Sequence, residues 1–118
     1  MKKIEATAKT PEIIINEKDF EINISGVIIP ENLRDYFVVF EKEIFDIYDK
    51  NGKITLNFYL NYFNTIAAKH LYELFKKLRD KKGVSIKWFY NAEDEDIYES
   101  GIELQELAKI NFELIAKD

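Results

Sequence analysis

Two periods run through the chain and divide it into strands and amphipathic helices. Phe20, Ile22 and Ile24 alternate with Glu21, Asn23 and Ser25, which predicts a strand over residues 20–25 with one buried and one wet face. Residues 12–16 (EIIIN) read as the strand before it, and the polar Glu17, Lys18 and Asp19 suit a tight hairpin turn between them. Gly26 then releases the chain. Pro30, Glu31 and Asn32 open a helix over residues 31–48 with acid in its first turn. Along it Leu33, Phe37, Phe40, Ile44 and Ile47 recur as a core-facing stripe, and Asn51 and Gly52 end it. A third strand over residues 53–62 alternates Ile54, Leu56, Phe58 and Leu60 with Thr55, Asn57, Tyr59 and Asn61. The second helix spans residues 65–82, with Ala67, Leu71, Leu74 and Leu78 facing inward and Gly83 closing it. Residues 84–90 (VSIKWFY) form a fourth strand. The helix over residues 94–109 places Ile97, Gly101, Leu104 and Ala108 on one face. Residues 111–116 alternate Phe112, Leu114 and Ala116, so a short fifth strand is preferred there to a helical continuation. Residues 1–10 carry little pattern, and residues 1–9 are expected to be a flexible N-terminus.

The resulting order, ββαβαβαβ, belongs to the α/β class and fits a single domain over residues 10–118. Alternating strands are covered on one face only, because strands buried on both faces read as continuous apolar runs. The expected architecture is a two-layer sandwich: a mixed sheet of four to five strands with three helices on one face. Strand–helix–strand units imply parallel neighbours joined by right-handed crossovers.

Composition narrows the function classes. At 118 residues, with 47% hydrophobic and 33% charged residues, the chain has the balance of a folded domain. No apolar run approaches the roughly 20 residues needed to span a bilayer, and the polar EATAKTPE after Lys3 is no signal-peptide core. The absence of cysteine removes disulfides, thiolate metal sites and cysteine nucleophiles together, and points to a reducing, cytoplasmic compartment. A net charge of −5 argues against a general nucleic-acid binder, which needs basic surface to neutralise phosphates.

Little in the chain resembles catalytic machinery. There is no P-loop, GxGxxG, GxSxG or HExxH motif, and nothing calls for a cofactor. His70, the only histidine, has no serine or cysteine at a partner spacing. Glu93, Asp94, Glu95 and Asp96 lack the glycine-punctuated loop of a calcium site and read as an acidic helix start that complements the dipole. Lys69, Lys76, Lys77, Arg79, Lys81 and Lys82 lie along the second helix and read as a solvated face. Several aromatics, among them Tyr36, Tyr48, Tyr59, Tyr72, Trp88 and Phe89, include some off the buried stripes; Tyr62 and Phe63 suit an exposed interface cluster.

The sharpest signal is ITLNFYLNYFNTIAAK, residues 54–69, where a strand runs almost directly into a helix at Asn64 and Thr65. A hydroxyl there meets unpaired helix N–H groups and the positive dipole end, where it can receive and hold a phosphate. Asn64 or Thr65 serving as a simple N-cap accounts for the same residues.

Five pieces, in order and spacing, resemble one bacterial family: Thr10-Pro11-Glu12-Ile13; Gly26-Val27-Ile28-Ile29-Pro30-Glu31-Asn32; Leu60-Asn61-Tyr62-Phe63-Asn64-Thr65; Val84-Ser85-Ile86-Lys87-Trp88-Phe89-Tyr90; and Glu95-Asp96 with Glu99-Ser100-Gly101. The chain is similar to the SiaC-type regulatory phosphoproteins, related in fold to STAS-type anti-sigma-factor antagonists. That resemblance implies a switch: phosphorylation of a Ser/Thr at the junction by an anti-sigma-type Ser/Thr kinase, and its removal by a PPM-type phosphatase. The unphosphorylated form would bind a GGDEF-type diguanylate cyclase and raise cyclic di-GMP. Carried over, the acceptor is Thr65, and the partner surface is Asn64, Tyr62 and Lys69 with the Pro30, Glu31 and Asn32 corner. The family usually has further hydroxyls after the acceptor, whereas this chain has Ile66 and Ala67, so Thr65 stands alone. The alternatives are a STAS-like antagonist in a partner-switching cascade and a small ligand-binding or enzymatic α/β domain using the open sheet face.

Overall fold

Each strand pairs with the one before it, so the sheet is laid down in sequence order. The structure is a computed structural model that describes residues 1–29 and 32–117. Among the described residues the elements are β1 (Lys2–Ile4), β2 (Glu12–Asn16), β3 (Glu21–Ile28), α1 (Leu33–Asn51), β4 (Ile54–Phe63), α2 (Thr65–Leu78), β5 (Val84–Asn91), α3 (Glu95–Ala108) and β6 (Glu113–Lys117). The first two pairings are antiparallel and the remaining three parallel. With right-handed crossovers stepping in one direction, α1, α2 and α3 fall on a single face. The two-layer α/β reading therefore holds.

The sheet has six strands, two more than the lower expected count and one more than the upper. The added one is β1, which pairs Lys3 with Ile14 and Ile4 with Ile13. Three residues with one apolar side chain are too short to show a period; the strand is held by its ladder, by Lys3–Glu12 and by Lys2–Glu43. Gly26 does not end β3. It adopts φ +111°, and the strand continues to Ile28. Helix α2 stops at Leu78, a turn short of Gly83, and α1 runs on to Asn51, where the left-handed Gly52 (φ +74°) donates its N–H to the Tyr48 carbonyl. The predicted start of α1 at Pro30 and Glu31 lies outside the described residues, as does the Leu33 side chain.

The core lies between sheet and helices. From the helices come Phe37, Phe40, Ile44 and Ile47 of α1, then Ala67, Leu71, Leu74, Phe75 and Leu78 of α2, all buried. Trp88 sits at the centre, wholly buried, with Phe58, Phe63 and Phe112 at 5.6–5.9 Å between ring centroids. Its indole N–H donates to the Ile97 carbonyl at 2.9 Å. Burial of each such ring stabilises the fold by about 1.5–3 kcal/mol.

The opposite sheet face is covered by its own side chains. Asn57, 4% exposed, donates to Glu21 and to Asn23 across the β3–β4 pair. Tyr59 stacks on Phe89 at 4.2 Å, with the Lys117 ammonium 5.4 Å from the Tyr59 ring. Burial, and after it the Glu21 charge, raise the Tyr59 pKa above its ordinary value.

Candidate functional site

The junction between β4 and α2 is built by an irregularity in the sheet. Gly26 pairs with Leu60, but Val27 pairs with Tyr62, so Asn61 is an extra residue in β4. A bulge reverses the in–out alternation beyond it. Without it Tyr62 would follow Leu60 inward. With it, Tyr62 is 55% exposed, and Phe63 turns in to meet Trp88 edge-on at 5.9 Å. The two aromatics expected together in an exposed cluster are thus split between surface and core. Trp88, also among the aromatics considered for the surface, is a core residue.

Asn64 follows in an extended conformation and closes the helix. Its side-chain oxygen accepts from the Ala67 N–H at 2.8 Å, and its carbonyl accepts from Ala68 at 2.9 Å. The Asn64 N–H donates to Ile28 at 3.3 Å, which ties the junction to the end of β3. Capping therefore belongs to Asn64. Thr65 is the first helical residue, and its side chain is exposed with its hydroxyl in no hydrogen bond among the described residues. The N–H groups of Thr65 and Ile66 likewise have no acceptor among the described residues. Helix α2 has no acid in its first turn, whereas α1 has Asp35 and α3 has Glu95 and Asp96. The positive end of its dipole is left without a counter-charge of its own.

One turn on, Lys69 lies on the same side of α2 as Thr65. A groove of about 290 Å³ separates these residues from α3, with Phe63 and Leu104 below and Glu103 and Leu107 on the far wall. Tyr62 (55% exposed) and Ile66 (60%) flank this junction in the chain, and Leu107 (56%) lines the groove with Thr65, so each adds uncovered apolar surface.

The family model for SiaC family regulatory phosphoproteins matches residues 4–117. The chain belongs to the SiaC family. No curated protein matches it. Among solved structures it is similar to the complex of the diguanylate cyclase SiaD with its activator SiaC from Pseudomonas aeruginosa, at 22% identity over 99% of this chain and 100% of that one, with a TM-score of 0.88. It is also similar to SiaC of the same organism at 21% identity over 99% and 98% of the two chains (TM-score 0.82), and to apo-SiaC at 22% over 98% and 100% (TM-score 0.79). These likenesses show that the chain has the SiaC fold.

Within that fold the remaining site residues separate. Asn32 is exposed at the start of α1 and donates to Asp35 at 2.8 Å instead of capping; Pro30 and Glu31 lie outside the described residues. The basic residues expected along the second helix are mostly engaged: in α2 Lys77 pairs with Glu41 and Lys76 lies over the Tyr72 ring, and past its end Lys81 lies over Phe45 and Tyr48 while Arg79 donates to the Ala108 carbonyl. Lys69 forms no ion pair among the described residues. His70 stacks on Phe37 at 5.0 Å, a packing role. Asp94 caps α3 by accepting from the Ile97 N–H at 3.1 Å, which is the structural use of the acidic run. Among the described residues no group of His, Asp or Glu is arranged to hold a metal ion, and no helix is long and apolar enough to cross a membrane.

The α3 wall was not anticipated from sequence. Ser100, Glu103 and Leu107 recur at helical spacing and mark a second stripe beside the core stripe that holds Leu104. That signal was present, but only the tertiary fold turns it towards α2.

Proposed function

We propose that this SiaC-family member is a cytoplasmic regulator without catalytic activity of its own, and that it exchanges protein partners according to the phosphorylation of Thr65. The carrying observation is the division of labour at the junction: Asn64 caps the helix, so the Thr65 hydroxyl is free and exposed beside open amides. Phosphorylation adds about −1.5 to −2 charges and three acceptor oxygens, and the first-turn N–H groups of α2 hold them without an acid to oppose them. The partner surface is Tyr62, Asn64 and Lys69, with the Asn32 corner, and Pro30 and Glu31 complete it in the sequence. A surface fitted to a neutral hydroxyl meets an unmatched charge once the phosphate is present.

The partner that fits the family is a GGDEF-type diguanylate cyclase, as in the complex of SiaD with SiaC; an anti-sigma-type Ser/Thr kinase writes the mark and a PPM-type phosphatase erases it. The test co-expresses the chain with the kinase and cyclase of its own genome, reading intact mass and cyclase co-purification. The wild type should gain one phosphate and lose cyclase binding at least tenfold, about 1.4 kcal/mol. Thr65→Ala should remain unmodified and bound. Phosphorylation of Thr65→Ala to the wild-type extent refutes the assignment, and co-purification of an anti-sigma kinase instead of the cyclase favours the STAS-like antagonist reading.

A further inference from the structure

Among the described residues the sheet ends in two strands paired on one side only, β1 and β6. Such an edge presents a row of unpaired N–H and C=O groups, which soluble proteins blunt by shortness or charge. β1 is blunted in both ways: it has three residues, and Lys2 and Lys3 are tied to Glu43, Glu5 and Glu12. β6 is not. It has five residues, with Leu114, Ile115 and Ala116 between Glu113 at one end and Lys117 at the other. Leu114 packs against the core on the helix side, whereas Ile115 lies beside Phe89 and extends the Tyr59–Phe89 row of the open face. Glu113 is exposed and forms no hydrogen bond or ion pair among the described residues. The Lys117 ammonium rests over the Tyr59 ring without a carboxylate among the described residues.

We infer that β6 is a self-association edge: it pairs antiparallel with β6 of a second copy, centred on Ile115, and joins two six-stranded sheets into one. The sequence ELIAK is complementary to itself in that direction. Glu113 of each copy faces Lys117 of the other, Leu114 faces Ala116, and Ile115 faces its own equivalent. Opposite charges placed directly across a strand pair stabilise it, and like charges destabilise it. A parallel pairing would set Glu113 against Glu113 and Lys117 against Lys117. A slip of one residue would turn the second copy's helices to the other side of the joined sheet. A slip of two would set Glu113 against Ile115. The centred register also makes the open-face rows continuous, so Tyr59, Phe89 and Ile115 of one copy run into Ile115, Phe89 and Tyr59 of the next. The contact is isologous, and with β1 blunted the assembly stops at two copies. Five-residue strands bury little area, so the dimer is weak and forms with concentration. Because β4, β5 and β6 are parallel, an antiparallel seam points the two Thr65 junctions in opposite directions, each two strands from the seam. The dimer therefore carries two open junctions, and the inference stands apart from the phosphorylation reading.

The test is sedimentation equilibrium of the full chain from the low micromolar range to about 1 mM, where weak dimers populate. The wild type should pass from monomer to dimer and no further. Glu113→Lys and Lys117→Glu each place like charges opposite one another across the seam, and each should weaken the dimer about tenfold. Mixed in equal amounts, the two variants are complementary again and should form a heterodimer about as tight as the wild-type dimer. The double variant Glu113→Lys/Lys117→Glu should likewise recover wild-type association. A merely structural role for either charge predicts no rescue on mixing. Hydrogen exchange of the wild type supplies a readout without substitution: amide protection across residues 113–117 should rise with protein concentration. Thr65→Ala should leave every one of these results unchanged, so a failed phosphorylation switch and a failed seam are told apart. A wild type that stays monomeric throughout, single variants that associate like the wild type, a mixture without rescue, or protection gained elsewhere overturns the proposal.

Discussion

Tyr36 is the side chain whose position conflicts most with its chemistry. Its hydroxyl is buried without a hydrogen-bond partner among the described residues, and burial pushes its pKa from 10.0 up to about 12. The folded state holds the phenolic proton more tightly than the unfolded chain does, so the contribution is fully present below about pH 10. Stability is then lost as pH rises from about 10 to 12, the unfolded chain releasing its proton first. Tyr59 shifts in the same direction. In urea titrations of Tyr36→Phe, the alkaline fall should be shallower than in the wild type. The same variant should be about 1 kcal/mol more stable at neutral pH, since an unsatisfied buried hydroxyl is removed. An alkaline loss as steep as the wild type's would refute the assignment to Tyr36.

At the scale of elements, α3 lies close against Trp88 of β5. A Cβ on Gly101 would lie 2.5 Å from Trp88 Cδ1 and 2.6 Å from Nε1. Glycine is needed there to let the helix settle onto the indole, which in turn donates to Ile97 one turn earlier. Gly101→Ala should force α3 outward and cost about 1–3 kcal/mol, as overpacking does. Denaturant unfolding should show that loss together with a red shift of Trp88 emission. Unchanged stability and fluorescence would mean that the contact is slack. Because α3 also forms one wall of the groove, this variant links core packing to the site.

For the whole molecule, the sequential sheet order has one large consequence. The parallel strands β3, β4 and β5 run the same way, so α1, α2 and α3 all begin at the same pole. The Asn32 corner, Thr65 and the acidic start of α3 therefore share the carboxyl end of the sheet, the usual place for recognition in open α/β folds. The core beneath is a single cluster to which every helix contributes. Unfolding should therefore be one cooperative event, with Trp88 fluorescence and far-UV circular dichroism superimposing in urea. Two separated transitions would contradict a single domain.

Periodicity by itself determined the α/β class, β2 and the positions of the core stripes on α1, α2 and α3, because apolar spacing reports directly on which face is buried. The capped strand–helix junction was legible for the same reason: Asn64 and Thr65 are residues of helix starts. Three things were decided only in three dimensions. β1 exists because β2 offers it an edge, which three residues cannot announce. The bulge at Asn61 reverses the parity that the preceding strand had established, so Tyr62 goes out and Phe63 in. Which of Asn64 and Thr65 caps the helix depends on backbone angles and a hydrogen bond, and that choice leaves the Thr65 hydroxyl uncommitted. The facing wall of the groove comes from a helix some forty residues away along the chain, beyond any local pattern.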